Sequence, residues 1–569
     1  MQKVNWFDFI GDWNPQLLRE LKGRLKPRNL ILAVGLSILG QFLLWVSFLM
    51  RLPHPTTDLT VYQGDFPKSE LYCTGSIDYG KSRTCLVDGL GNLFVDWQRW
   101  SLDLFIVLSI IGIFSLLVAG TYLLIDNLAY EERKGTLNFI RLSPRSPQSI
   151  LWGKMLGVPI LLYVVALLAV PLHLWAGFAA NIPLIRILSF YGVLVTSCVF
   201  FYSLSLLFGL ISADGLKGFQ AWLGSGAVFL FILLIVPGRP FFVAPLDWIE
   251  IFSPRIVLSY LISSNEIKPN LYWFNLPVDT SIVSIASILI LNYSLWTYWS
   301  WQAMQRRFLS PNKTIFSKLQ SYLFVACFEI LALGFAINSD FDRYYLEYGD
   351  RYSLTENFQV LLTYNFVLFF GLIITLTPQR QSVIDWAQYR KQKPSSGKGL
   401  LNSSLLRDLV IGEKSPATVA IALNAAITAI ILVPSIMSSD NNNKLLVLIA
   451  LVLSLSLIVM CAAISQLIAL MQTQKQEFWI IGALGTVVIL PPLIISLFSI
   501  SSVQTPNLLL LTVFAFAAIE DAGIYSIFLA LVAQLSLLTL CSWQITRQLK
   551  KAGASNSIGL FAPPKAQLP

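Results

Sequence analysis

The chain has 569 residues, of which 55% are hydrophobic and only 12% charged, with a mean hydropathy of +0.66 and a net charge of +9. Soluble domains carry about 25% charged residues, so the composition excludes a soluble globular protein and indicates an all-α polytopic membrane protein. The excess of Lys and Arg implies no nucleic-acid partner, because these residues collect in segments on one side of the predicted spans. By the positive-inside pattern that side, together with both termini, is cytoplasmic.

Residues 1–29 are too polar for a signal core, and the apolar run that follows is too long for one. Asn14-Pro15 opens a helix, Asn as cap and Pro at the first helical position. Leu17, Leu18, Leu21 and Leu25 form its apolar stripe, with Arg19, Lys22, Arg24 and Lys26 on the rest, the pattern of a helix lying on the inner leaflet. A first membrane half, residues 30–310, then holds six spans at about 30–50, 102–125, 155–178, 187–211, 217–237 and 280–302. A second half, residues 311–546, holds six more at about 319–337, 358–376, 417–436, 445–471, 478–498 and 524–543. Residues 547–569 form a cytoplasmic tail.

The two halves share a layout. Each has an outer first loop, a longer interior segment between its second and third spans, and a broken apolar stretch before its sixth. This predicts a six-plus-six duplication with about twelve helices. A competing register exists, since Leu17-Leu18-Arg19-Glu20-Leu21 recurs as Leu405-Leu406-Arg407-Asp408-Leu409 and would align the ninth span with the first.

The interior segment after the second span reads Glu131-Glu132-Arg133-Lys134-Gly135-Thr136-Leu137-Asn138-Phe139-Ile140-Arg141-Leu142-Ser143-Pro144 and runs through Gly153-Lys154 into the third span. A charged tetrad breaks at glycine, and Thr136 is positioned to cap a short helix carrying Leu137, Phe139 and Ile140, which Ser143-Pro144 ends. Such a helix is too polar to insert and too apolar to float free. An ordinary interfacial loop helix and a docking surface for another protein both fit it.

This string, at this span junction, resembles the coupling loop of type-2 ATP-binding-cassette (ABC-2) permeases. The resemblance covers about 30 residues. It implies a permease that moves its substrate with ATP hydrolysed by a separate ATPase subunit, in a cytoplasmic or internal membrane of bacterial type. It also implies that Glu131, Glu132, Arg133, Gly135, Thr136, Leu137, Phe139 and Leu142 make the ATPase contact, the charged residues pairing with charges and the apolar ones filling a groove. A homodimer or a second permease chain is compatible with it. The equivalent segment of the second half, residues 377–416, lacks the Gly-Thr-Leu and Leu-Ser-Pro elements; Asp385-Trp386-Ala387-Gln388-Tyr389-Arg390 is its nearest counterpart.

Gly75-Ser76-Ile77-Asp78-Tyr79-Gly80-Lys81-Ser82 formally fits a P-loop, but no strand precedes it, no helix pattern follows, and it falls on the outer side, away from ATP. No catalytic residue and no directly bound cofactor are therefore expected, ATP acting only through the partner. His54 and His173 lack ligands at metal-binding spacing, so no metal is expected either. Cys73 and Cys85 share the first outer loop as a disulfide or as two thiols. Glu329 is the one charged residue deep inside a span, which makes it the intramembrane polar candidate; a protonated, packed Glu is the plain alternative. The Trp groups at 97 and 100 and at 296, 299 and 301 read as interfacial belts. The rival functional readings are an ion-coupled secondary transporter and a non-transporting scaffold subunit of a membrane complex.

Overall fold

The computed structural model describes residues 6–53, 72–74, 94–212, 218–235, 246–262, 271–311, 313–337, 354–392, 403–438, 443–472, 476–497, 509–519 and 522–559. Helices dominate, and the protein is an all-α polytopic membrane protein. Among the described residues, ten helices are long and apolar enough to cross a membrane. Helices occur at all twelve predicted spans, two of them outside that group of ten. The only sheet among the described residues is an antiparallel pair, β1 (Tyr272–Trp273) with β2 (Leu276–Pro277).

The chain divides into two compact units, with the main boundary between Leu309 and Ser310. The first begins with α1 (Trp6–Trp13), α2 (Pro15–Arg24) and the first span, α3 (Pro27–Leu49). Its second span is continuous from α4 (Trp97–Phe114) through a π-helical turn at Ser115–Ala119 to α5 (Gly120–Arg133). A π-turn lengthens the hydrogen-bonding interval; here the Leu116 carbonyl accepts from Gly120 N and also from the Tyr202 hydroxyl at 2.7 Å. Next come α6 (Thr136–Arg141), α7 (Pro147–Gly157), α8 (Ile160–Ala179), α9 (Leu184–Ser212) and α10 (Gln220–Leu234). The short α11 (Asp247–Glu250) and α12 (Ile256–Ile262) lead to α13 (Ile282–Leu309).

The second unit contains α14 (Lys318–Ala336), α15 (Leu354–Leu376), α16 (Arg380–Gln392), α17 (Ser403–Ile411), α18 (Thr418–Ser438), α19 (Lys444–Leu470), α20 (Gln476–Leu497), α21 (Phe516–Ile519) and α22 (Ile524–Gly559). Four ordinal pairs of packed spans recur in both units. In the first unit the first span packs on the third, the second on the fourth and fifth, and the fourth on the sixth. In the second unit α14 packs on α18, α15 on α19 and α20, and α19 on α22, which are the same ordinal pairs.

Each unit also uses one buried lysine to tie the region before one span to the start of another. Lys154 does so in the first. In the second, Lys318 Nζ donates to Leu409 O at 2.7 Å, Ser415 Oγ at 2.6 Å and Pro416 O at 3.0 Å. All three donors of that ammonium are thereby used at the carbonyl end of α17, where the helix dipole favours a cation.

Candidate functional site

The junction between the second and third spans of the first unit is built from a broken helix. Alpha-helical backbone runs to Arg133 and Lys134, then Gly135 takes φ +70°, a left-handed conformation that costs an L-residue roughly 1–2 kcal/mol. Gly135, not Thr136, stands at the cap position of α6. The Thr136 hydroxyl instead donates back to the Glu131 carbonyl at 3.1 Å, so it ties α6 to α5. Ser143 Oγ closes the far end on Ile140 O at 2.7 Å, and Ser146 caps α7 with Pro147 at its first position.

The eight residues expected to meet a partner divide into inward and outward sets. Leu137 is buried in an apolar core with Leu124, Leu128, Leu151, Met304 and Phe308. Glu131 is also buried, and Glu132 is engaged within the chain by Arg141 at 3.0 Å. Arg133, Phe139 and Leu142 face outward, with Phe139 78% and Leu142 83% exposed. Gly135 and Thr136 are half-buried at the bend. Leu137 therefore belongs to the fold and cannot fill a partner's groove. Glu131 is likewise committed to internal charges.

Those charges are the part of the site that sequence reasoning missed. Lys154 on α7 is 0% exposed. Its ammonium lies 2.6 Å from Glu131 Oε2, an ion contact off the line of a good hydrogen bond. It also donates to Asn127 Oδ1 at 3.0 Å and sits 3.7 Å from Glu20. Arg19 approaches Glu131 at 3.7 Å, and Arg24 pairs with Glu20 at 3.3 Å. Two carboxylates and three cations from α2, α5 and α7 thus form one cluster at the base of the bend.

The cluster holds α2 down on α7. Asn14 Oδ1 accepts from Leu17 N at 3.0 Å as the helix cap, while its Nδ2 donates to Ser149 O at 2.7 Å. Gly153 and Gly157 make the close approach possible. A Cβ at Gly157 would meet Glu20 Cβ at 2.5 Å, and one at Gly153 would meet Leu17 N at 2.9 Å. The helix expected to lie on the leaflet is therefore also a packed element, and Glu20 is buried within its basic face. The signal that could have revealed this was the pair of glycines four residues apart with a lysine between them.

No protein-family model, curated protein or solved structure matches this chain. The remaining sequence candidates resolve as follows. Glu329 is fully buried in the second unit, accepting from Thr428 Oγ1 at 2.8 Å and facing Asn365 Nδ2 at 3.5 Å. His173 has both ring nitrogens engaged, by Ser109 Oγ and by the Tyr191 hydroxyl, each at 2.8 Å, and its ring stacks on Phe105. That arrangement is a satisfied packing residue. His54, the P-loop string at 75–82 and Cys85 lie outside the described residues. Cys73 is disulfide-bonded and pairs by an isolated antiparallel bridge with Val95. Among the described residues no group of three His, Cys, Asp or Glu could hold a metal ion. Trp100 is no belt residue: it is buried, with its indole donating to Phe48 O at 3.0 Å. Trp301, also buried, stacks on Trp152 with centroids 4.8 Å apart.

Proposed function

We propose that the chain is the membrane-embedded permease of an ABC-2-type exporter and that a separate cassette ATPase docks on α6. The observation that carries this reading is the presentation of Phe139 and Leu142. Two large apolar side chains stand exposed, Phe139 on the six-residue helix and Leu142 at its C-terminal cap, while Leu137 of that helix is locked into the core. Exposed Leu residues scattered singly need no explanation, but an apolar pair beside exposed Arg133 and Lys134 on an anchored peg suits a protein groove.

The internal wiring gives such a peg a mechanical use. A push on α6 is borne by Leu137 in the core and by the Thr136–Glu131 and Arg141–Glu132 links, so it reaches the second span through α5. Lys154 carries it to α7, which leads into the third span, and Glu20 carries it to α2, which leads into the first. In this reading the basic side and both termini are cytoplasmic. Movement of the three spans opens a path for substrate, and the lipid bilayer is the only other required partner.

The test is a photo-crosslinking residue at position 142 in native membranes, with the adduct identified by mass spectrometry. The expected product joins this chain to a cassette ATPase, and Phe139→Asp with Leu142→Asp abolishes ATPase copurification without lowering membrane insertion. An ATPase that stays bound to the doubly substituted chain would refute the reading.

A further inference from the structure

The second unit contains a buried polar column that docking on α6 does not use. Along the α14–α18 seam, Ser321 Oγ accepts from Asn424 Nδ2 at 3.0 Å. Asn424 and Thr428 are one turn apart on the same face of α18, and Thr428 Oγ1 donates to Glu329 Oε1 at 2.8 Å. Asn365 on α15 completes the surround. Ser321, Glu329, Asn365, Asn424 and Thr428 are all buried. The column begins beside Lys318 and ends at Glu329, eleven residues or about 16 Å along α14, roughly half the thickness of a hydrocarbon core of about 30 Å.

Among the described residues Glu329 has no cationic partner there. Across the elements packed on it, α18 contains no charged residue. The other charge on α14 is Lys318, whose three donors are used elsewhere. The charged residue of α15 is Glu356, nine positions before Asn365, and that of α19 is Lys444 at its first position. α17 packs near the Lys318 end and carries Arg407, which is exposed, and Asp408, which pairs with Arg390 at 3.1 Å. Of the other titratable groups, Tyr322 donates to Val410 O at 2.8 Å, Tyr364 packs on Trp248, Cys327 is a half-buried free thiol and Cys461 of α19 a buried one. An ionised carboxylate buried without a countercharge is costly enough that the group takes up a proton or a cation instead. Among the described residues the carboxyl faces one hydroxyl and one amide, Thr428 Oγ1 at 2.8 Å and Asn365 Nδ2 at 3.5 Å, far fewer oxygens than a metal ion requires, so a proton is the cation this site fits.

We propose that Glu329 is a proton-binding site inside the second unit, reached along the α14–α18 seam from the Lys318 end. The column is one-sided. Toward Lys318 it offers hydroxyls and amides, and Asn424 Oδ1 is buried without a hydrogen-bond donor. Beyond Glu329 the seam is closed by Ala332, Leu333 and Ala336 of α14 and Leu432 and Ile436 of α18, all buried and apolar. Protons therefore exchange with one face of the membrane only. Protonation neutralises the acid and makes it a donor; release leaves a carboxylate faced by the Thr428 and Asn365 donors but by no countercharge among the described residues. The site goes beyond the permease reading and does not depend on it.

The experiment is infrared difference spectroscopy on the purified full-length protein in lipid nanodiscs at neutral pH, with and without sodium. A protonated-carboxyl stretch is expected that shifts in D2O, is lost in Glu329→Gln, changes frequency in Thr428→Val and exchanges at least tenfold more slowly in Asn424→Leu. Identical carboxyl spectra for wild type and Glu329→Gln would overturn the proposal. A band that appears only when sodium is withdrawn would overturn it too, in favour of a sodium site. If Glu329→Gln does not fold, the frequency change in Thr428→Val decides, and its absence rejects the assignment. None of these readouts involves a substrate or an ATPase, so this result and the crosslinking result fail independently.

Discussion

Replacing Lys154 by Met isolates the contribution of the charge cluster, because Met keeps the length and apolar stem of Lys and removes only the ammonium. The cluster changes from three cations and two carboxylates (Arg19, Arg24 and Lys154 against Glu20 and Glu131) to two of each. Nominal neutrality does not rescue it. Lys154 is wholly buried and 2.6 Å from Glu131, whereas the Arg19 side chain is 55% exposed and 3.7 Å away. Leaving one member of a buried pair uncompensated costs about 3–5 kcal/mol. The arginines still nearby place the expected cost at the lower end, about 3 kcal/mol, or roughly a hundredfold in a local equilibrium at about 1.4 kcal/mol per tenfold. The opening should be local, since what the cluster holds is α2 on α7. Amide hydrogen exchange in α2 should therefore quicken by about a hundredfold in Lys154→Met, while α9 and α13 stay protected. Adding Glu131→Gln should restore most of the protection, because the stranded carboxylate goes with it. Unchanged exchange in α2, or a double variant no better than the single one, would refute the argument.

Gly157→Val should release α2 by a steric route, since its Cβ would meet Glu20 Cβ at 2.5 Å; the same exchange measurement reads it, and charge restoration should not help. Leu137→Asp should lower the yield of folded protein sharply, by burying a charge in the core. By contrast, Phe139→Asp alters an exposed site and should change stability by no more than about 0.5 kcal/mol, which detergent thermal-unfolding curves would separate. Burial lifts the Glu250 carboxyl from 4.5 to about 7, so the folded state holds that proton more tightly than the unfolded one. Its stability contribution is greatest at acid pH, falls as pH rises from about 4.5, and levels off above about 7. Thermal unfolding across that range should show the slope in wild type and lose it in Glu250→Gln.

Composition alone was enough for the class of protein, and apolar run length alone located every helix that was read as a span. The reason is physical: a segment in hydrocarbon has to satisfy its own backbone as a helix, and the bilayer thickness sets its length. The break at Gly135 was equally legible, because a glycine after a charged helical run offers the left-handed conformation that ends it. Which faces of those helices meet was not. Glu131 and Glu132 are neighbours of one type in the sequence, yet one is buried against Lys154 and the other pairs with Arg141 beside it. Leu137 and Leu142 are the same residue type, one on a short helix and one at its C-terminal cap, and only packing sends the first into the core and leaves the second exposed. Glu329 could be recognised from its place in a span, but its company of Thr428, Asn365 and Asn424 comes from positions up to 99 residues away. Periodicity reports what a helix is, because hydrogen bonding within it is local; charge pairing and burial are decided by contacts between helices, and those exist only once the chain is packed.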